Sequence, residues 1–320
     1  MGYNQKLVQV DYLIYSLLWL FYYYFASSLD IGGFEADIFF GDSWLSYIIH
    51  LTTDIFGRNN FGLRVIFVTT HIINLILLYN YTKDKRVLYL YSILPAVNAS
   101  IFVVSKVPFI VTLLLIFLML FKSRRYILII PLIIFFDKSS IIIAIALLLY
   151  GFYYREKMPI FISLIMIFTI FSYYDYSNLG KPKGYFVDIF GIFLALLSPL
   201  LLFYLIYSIF VDKIKDILWF IVATSLVVAV ILSFRQKVAI EFFAPFLLLS
   251  VIIICRVFLN GYYTLIKSLR KRYNILLIIT IFIAFISSMI LYLPVFDDFD
   301  RQIDKNGNKS RFYMSHLSNI

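Results

Sequence analysis

The stretch "LDIGGFEADIFFGDSW" (29–44) gathers four carboxylates, Asp30, Glu35, Asp37 and Asp42, just after the first apolar run of the chain. A carboxylate in such a place can take the proton of an attacking hydroxyl or amine. Cations that could complement it stand at the ends of other apolar runs: Arg58, Arg64, Lys106, Lys138, Lys181, Lys183, Arg235 and Lys237. Arg64 lies in "FGLRVIF", Lys106 in "VVSKVPF", and Arg235 and Lys237 in "SFRQKVAIEFFAPF". Guanidinium and ammonium groups stabilise the charge that grows on a departing phosphate oxygen. Acid on one loop with cations around it therefore suits transfer from a phosphate-linked donor, whose lipid part would lie against the apolar runs.

Each of these residues also has a plain structural reading. Lys and Arg at span ends snorkel toward the interface. Asp30, Asp42 and Asp54 suit helix caps or solvated loop positions, and Asp42 with Ser43 reads as a cap ahead of an amphipathic run. His50 fits a surface helix, and His71, within the second apolar run, fits an interhelical hydrogen bond. Asp137 and Lys138, adjacent in "FFDKSS", fit pairing with other groups. First-loop acids could hold a hard divalent ion. No His or Asp set has diagnostic spacing, so no metal or cofactor is expected.

The elements that must position these residues follow from composition. The 320 residues are 62% hydrophobic and 20% aromatic, with a mean hydropathy of +0.93. Soluble domains are about 45–50% apolar, so lipid is the solvent for most of this chain. The charged residues, 14% of the total, cluster between apolar runs. The expected fold is all-α and multi-pass, with runs near 9–28, 61–81, 87–104, 107–121, 125–136, 139–154, 158–173, 189–210, 217–234, 239–257 and 275–295. That makes about 11 spans. The first run lacks a small-residue cleavage pattern and reads as a retained span. One cysteine, Cys255, allows neither an internal disulfide nor a Cys-rich metal site. The net charge of +10 lies in short loops, which argues against a nucleic-acid partner.

Charge sets the orientation. With the N-terminus inside, Lys6, the loops "TKDKR" (82–86), "FKSRR" (121–125), "YREK" (154–157), "VDKIKD" (211–216) and the one ending "LIKSLRKRYN" (265–274), together with Arg256 just ahead of that last loop, hold 16 of the 28 basic residues, as the positive-inside rule requires. The acidic first loop, Asp30 to Asn60, then faces outward. Its second half, "SWLSYIIHLTTDIFG", has apolar Leu45, Ile48, Ile49 and Ile55 at helical spacing and is expected to lie along the membrane surface. A single membrane domain spans 1–295, and 296–320 form a polar outer tail.

The segment "WLSYIIHLTTDIFGRNNFGLRVIFVTTHIINLILLYNYTKDKR" (44–86) resembles the GT-C membrane glycosyltransferases. It is most similar to the branch holding protein O-mannosyltransferases and lipid A aminoarabinose transferases, glycosyltransferase family 39. The likeness rests on "FGRNNFGLR" (56–64), which matches a pattern FG-x-N-x-x-x-x-R opening the second span. It also rests on the acidic first loop and amphipathic helix before that pattern. The resemblance implies that a first-loop carboxylate is the catalytic base. Glu35 in "FEADIFF" matches the second acid of the family's Asp-Glu pair, with Phe34 where the Asp would stand; Asp37 and then Asp30 are the alternatives. It implies donor-phosphate ligands at Arg64, Arg235 and Lys237, with Lys106 and Arg58 beside them. The donor is a polyprenyl-phosphate-linked sugar, and the acceptor is lipid A, a glycan or an envelope protein. The place is the outer face of a bacterial inner membrane. The rival readings are a transporter or flippase for polyprenyl-linked glycans, an O-antigen polymerase or ligase, and a non-catalytic assembly partner.

Overall fold

A computed structural model describes residues 20, 22–24, 27, 35, 38–41, 43–102, 104–174, 185–234, 239–264 and 266–290. Every regular element among them is helical. In chain order they are α1 (Trp44–Phe56), α2 (Asn60–Thr82), α3 (Lys85–Ile93), α4 (Pro95–Phe102), α5 (Val107–Phe121), a 3-10 turn (Arg125–Leu128), α6 (Ile130–Phe136), α7 (Ser140–Tyr154) and α8 (Lys157–Tyr173). They continue with α9 (Phe186–Leu197), α10 (Pro199–Val211), α11 (Ile217–Ser233), α12 (Ile240–Leu248), α13 (Ser250–Thr264) and α14 (Lys267–Ile290).

The polar residues between apolar runs start and stop these helices. Ser43 caps α1 through the Ser46 amide at 3.3 Å; Asp42, read with it as the cap, lies outside the described residues. Asp84 caps α3 through Arg86 N, and Asp216 caps α11 through Trp219 N at 3.0 Å. Three basic loop residues, Lys83, Arg124 and Arg155, have left-handed backbones, with φ of 54°, 59° and 56°. Lys83 and Arg155 stand just past α2 and α7, where a left-handed residue ends a helix and a cation complements its exposed carbonyls, and Arg124 stands directly before the 3-10 turn.

Two helices are long and apolar enough to cross a membrane: α2, and the 23-residue stretch Phe242–Thr264, where α12 and α13 run on from one another. The pair α9 and α10, bent by 100°, makes a third if it is one span. Helices α5, α7, α8 and α11 are apolar but have 10–17 residues. A 15-residue helix is about 22 Å long, short of the ~30 Å of a bilayer core. Two expected runs are broken at proline. Residues 87–104 divide at Leu94–Pro95 into α3 and α4, and 189–210 divide at Ser198–Pro199 into α9 and α10. The residue before proline is driven out of the helical region, and hydropathy does not register this.

The chain divides into two compact units, residues 1–73, 99–108 and 291–320 in one, and 74–98 and 109–290 in the other. In the larger unit α7 packs on α8 and on α11. Gly151 allows the first of these approaches, since a Cβ there would stand 2.6 Å from Ile160 Cγ1. Sparse polar contacts tie the apolar helices: Thr112 donates to Asn74 at 2.7 Å, Tyr204 and Tyr273 share a hydrogen bond at 2.8 Å, and Ser288 donates to the Ile93 carbonyl. The smaller unit holds α1, the first part of α2 and the turn at 104–106.

Candidate functional site

The motif "FGRNNFGLR" folds as a tight corner between α1 and α2. Gly57 has a φ of +92°, where an L side chain is strained. The Asn59 amide donates to the Gly57 carbonyl at 2.9 Å, and Asn59 Oδ1 accepts from Gly62 N at 2.7 Å. Asn59 thereby caps the first turn of α2. A Cβ on Gly62 would overlap the Gly57 carbonyl oxygen, so that glycine admits the close return of the chain. The corner fixes the start of α2, and Arg64 follows one turn later on its inward side.

Arg64 is 2% exposed and Glu35 3%. Arg64 Nε donates to Glu35 Oε1 at 3.0 Å, and Nη2 to Oε2 at 2.6 Å. The Val104 amide adds a third bond, at 3.3 Å to Oε1. Three separate stretches of the smaller unit thus meet on one carboxylate. This is fork-to-fork pairing, the geometry by which arginine also holds phosphate. Removing one partner from a buried pair leaves an uncompensated charge and costs about 3–5 kcal/mol.

Of the other expected site residues, Lys106 is half-buried two residues beyond Val104, in a turn where Ser105 Oγ accepts from Val107 N at 3.1 Å. Arg58 is exposed, within the corner itself. Asp30, Asp37, Arg235 and Lys237 lie outside the described residues. His71 is buried in α2, its ring edge-on to Tyr22 at 5.2 Å, and His50 meets the Phe39 ring at 4.2 Å. Asp137 is buried and accepts from Ser139 N at 3.0 Å, while Lys138 is exposed. Beside Asp137 a small cavity is walled by Ile110, Ile143 and Phe246, and the buried hydroxyls of Ser139 and Ser140, which also line it, make no hydrogen bond. No group of three or more His, Cys, Asp or Glu among the described residues could hold a metal ion.

A second ionic centre, in the larger unit, escaped the sequence reading. Arg256 of α13 places Nη2 2.6 Å from Asp212 Oδ2 and Nη1 2.7 Å from Asp216 Oδ2. The intervening turn is held as well: Lys215 donates to the Ile209 carbonyl and lies 4.1 Å from the Trp219 ring, and Tyr154 donates to the Lys215 carbonyl. Burial pulls the Lys215 pKa down, with Asp212 opposing. The signal was an arginine in an apolar run, "SVIIICRVFL", where an ionisable group needs a partner. Charge placement alone put "VDKIKD" among the inner loops and gave it no partner in the run 239–257.

The chain matches no protein-family model, no curated protein and no solved structure.

Proposed function

We propose that this chain is a GT-C-type membrane glycosyltransferase of about 11 spans. It moves a sugar from a polyprenyl-phosphate donor to a lipid A, glycan or protein acceptor at the outer face of a bacterial cytoplasmic membrane. The observation that carries this reading is the Glu35–Arg64 contact. A first-loop acid and the arginine opening α2 meet in a buried pair, with the turn bearing Lys106 closing on the same carboxylate.

In the reaction so read, an acceptor hydroxyl or amine gives its proton to a first-loop carboxylate, Glu35 first, with Asp37 and Asp30 as alternatives. The acceptor atom bonds to the anomeric carbon while the bond from that carbon to the phosphate oxygen breaks, which inverts the centre. The polyprenyl phosphate leaves with the bond's electrons. Its growing charge falls to Arg64, Arg235 and Lys237, with Lys106 and Arg58 nearby. Arg64, already forked onto a carboxylate, has the donor geometry to take a phosphate. The test is native mass spectrometry of the purified protein with undecaprenyl phosphate. Binding should be present in the wild type and reduced at least tenfold in Arg64→Met. Equal binding by both would remove Arg64 from the donor site, and no binding by either would overturn the reading.

One observation favours transport instead. Broken helices are a mark of transporters, and α9 and α10 are bent by 100° about Ser198. A flippase would move fluorescent polyprenyl lipids across proteoliposome membranes; a transferase would not.

A further inference from the structure

An aromatic stack fixes the start of α14 against the end of α13. The Tyr273 ring of α14 lies 4.5 Å from that of Phe258 and 6.5 Å from that of Tyr262, both on α13. Gly261 makes room for it, since a Cβ there would stand 3.0 Å from the Tyr273 hydroxyl. Arg270, three residues before Tyr273, is set by the same packing. Its guanidinium stands over the Tyr262 ring at 5.5 Å, and Nη2 donates to the Tyr263 carbonyl at 3.2 Å. A second guanidinium reaches Tyr263 from another element. Arg86 opens α3, which packs on both α13 and α14, and the Tyr263 phenol beside it is the first cause that raises its pKa.

The charge gathered here is one-sided. Lys271 and Arg272, both exposed, follow Arg270, and no carboxylate occurs in sequence between Glu241 and Asp297. Asp84 stands 3.8 Å from Arg86, while Asp212 and Asp216 are engaged by Arg256. The positive-inside rule accounts for the side of the membrane on which these cations lie. It does not account for their meeting across α3 and α14. The depth is given by α13, because Tyr262 and Tyr263 fall at the end of the spanning stretch Phe242–Thr264, where tyrosine rings favour the headgroup level. Just past the cations α14 turns apolar, and Ile275, Leu276, Ile278, Ile279 and Phe282 are all exposed. Phe282 lies about 15 Å along the helix from Arg272. A fitting ligand carries negative charge at one end and apolar chain along that length. An anionic phospholipid has that form; a soluble anion or an acidic peptide lacks the chains.

We propose that Arg86, Arg270, Lys271 and Arg272, set around Tyr262 and Tyr263, form a binding site for the headgroup of an anionic phospholipid whose acyl chains lie along the exposed face of α14. The guanidinium forks of Arg86 and Arg270 suit phosphate oxygens. Lys271 and Arg272 add the charge by which basic clusters at a membrane surface collect anionic lipid. Phosphatidylethanolamine carries its own ammonium group and gains less from the same cations. The site stands independently of glycosyl transfer, in which none of these four residues has a part.

The test is native mass spectrometry of the detergent-purified protein titrated with phosphatidylglycerol or phosphatidylethanolamine of the same acyl chains. The wild type should retain phosphatidylglycerol at least tenfold better. The triple variant Arg86→Gln, Lys271→Gln, Arg272→Gln removes three exposed charges and spares the aromatic stack; it should bind the two lipids alike. The triple variant Lys122→Gln, Arg124→Gln, Arg125→Gln removes the same charge from another exposed basic loop and should keep the wild-type preference. Equal retention of both lipids by the wild type would overturn the proposal, as would an undiminished preference in the first variant. An equal loss in the second variant would show attraction to net charge alone and overturn it too. Glycerol phosphate, the headgroup without chains, should fail to displace the bound lipid in large molar excess; displacement would assign the cluster to soluble anions and overturn the lipid site.

Discussion

Glu35 and Arg64 neutralise one another out of water, and neither tolerates loss of the other. Glu35→Gln should therefore cost about 3–5 kcal/mol of stability, visible as a lower melting temperature of the detergent-solubilised protein. Replacing both by Met should recover most of that loss, because a buried apolar pair is often as stable as a buried ion pair. Transfer should be absent from the single and the double variant alike. A double variant no more stable than Glu35→Gln would mean that the pair is not the unit described. Ser198 makes the opposite case. Its φ of 71° and ψ of 151° fall in a region natural to glycine, and its buried hydroxyl makes no hydrogen bond. Such strain amounts to roughly 1–3 kcal/mol. Ser198→Gly should raise the melting temperature, and a fall would show that the serine is anchored by something other than its backbone.

At the scale of elements, two glycines set close approaches. Gly151→Ala places a Cβ against Ile160, with the Ile160 amide and the Glu156 carbonyl also near, at 3.1 and 3.2 Å. Overpacking of this kind costs about 1–3 kcal/mol. Part of the loss should return in the double variant with Ile160→Ala, read again by melting temperature. Gly62→Ala should instead reposition the first turn of α2, lowering undecaprenyl phosphate binding more than it lowers stability. The legible part of the sequence was local. "FGRNNFGLR", read as the opening of the second span, does open α2, because Gly57, Asn59 and Gly62 act within five positions of one another, through the Gly57 φ, the Asn59 cap and the Gly62 approach. The face of α1 was not legible, because Leu45 and Leu51 are chemically alike and only tertiary packing says which is core. The Arg256 centre joins residues 40 apart in sequence, and no spacing rule reaches that far.

For the whole molecule, helical class and membrane residence followed from composition, which leaves no other solvent for so much apolar surface. Two helices, or three with the bent pair, are long and apolar enough to cross, and runs of uniform hydropathy conceal the breaks at Pro95 and Pro199. The basic loops at 82–86, 121–125, 154–157 and 211–216 should share one side of the membrane. Cysteines placed in them should all be labelled by an impermeant maleimide from the same face of sealed vesicles. Labelling of some from each face would contradict the orientation. The most direct test of the central claim is mass spectrometry of lipid A, surface glycans and envelope proteins from a strain lacking this chain. The account predicts that one component loses the mass of a single sugar, restored by the wild type and not by the Glu35→Gln, Asp37→Asn double variant. An unchanged envelope, or full restoration by that variant, would contradict it.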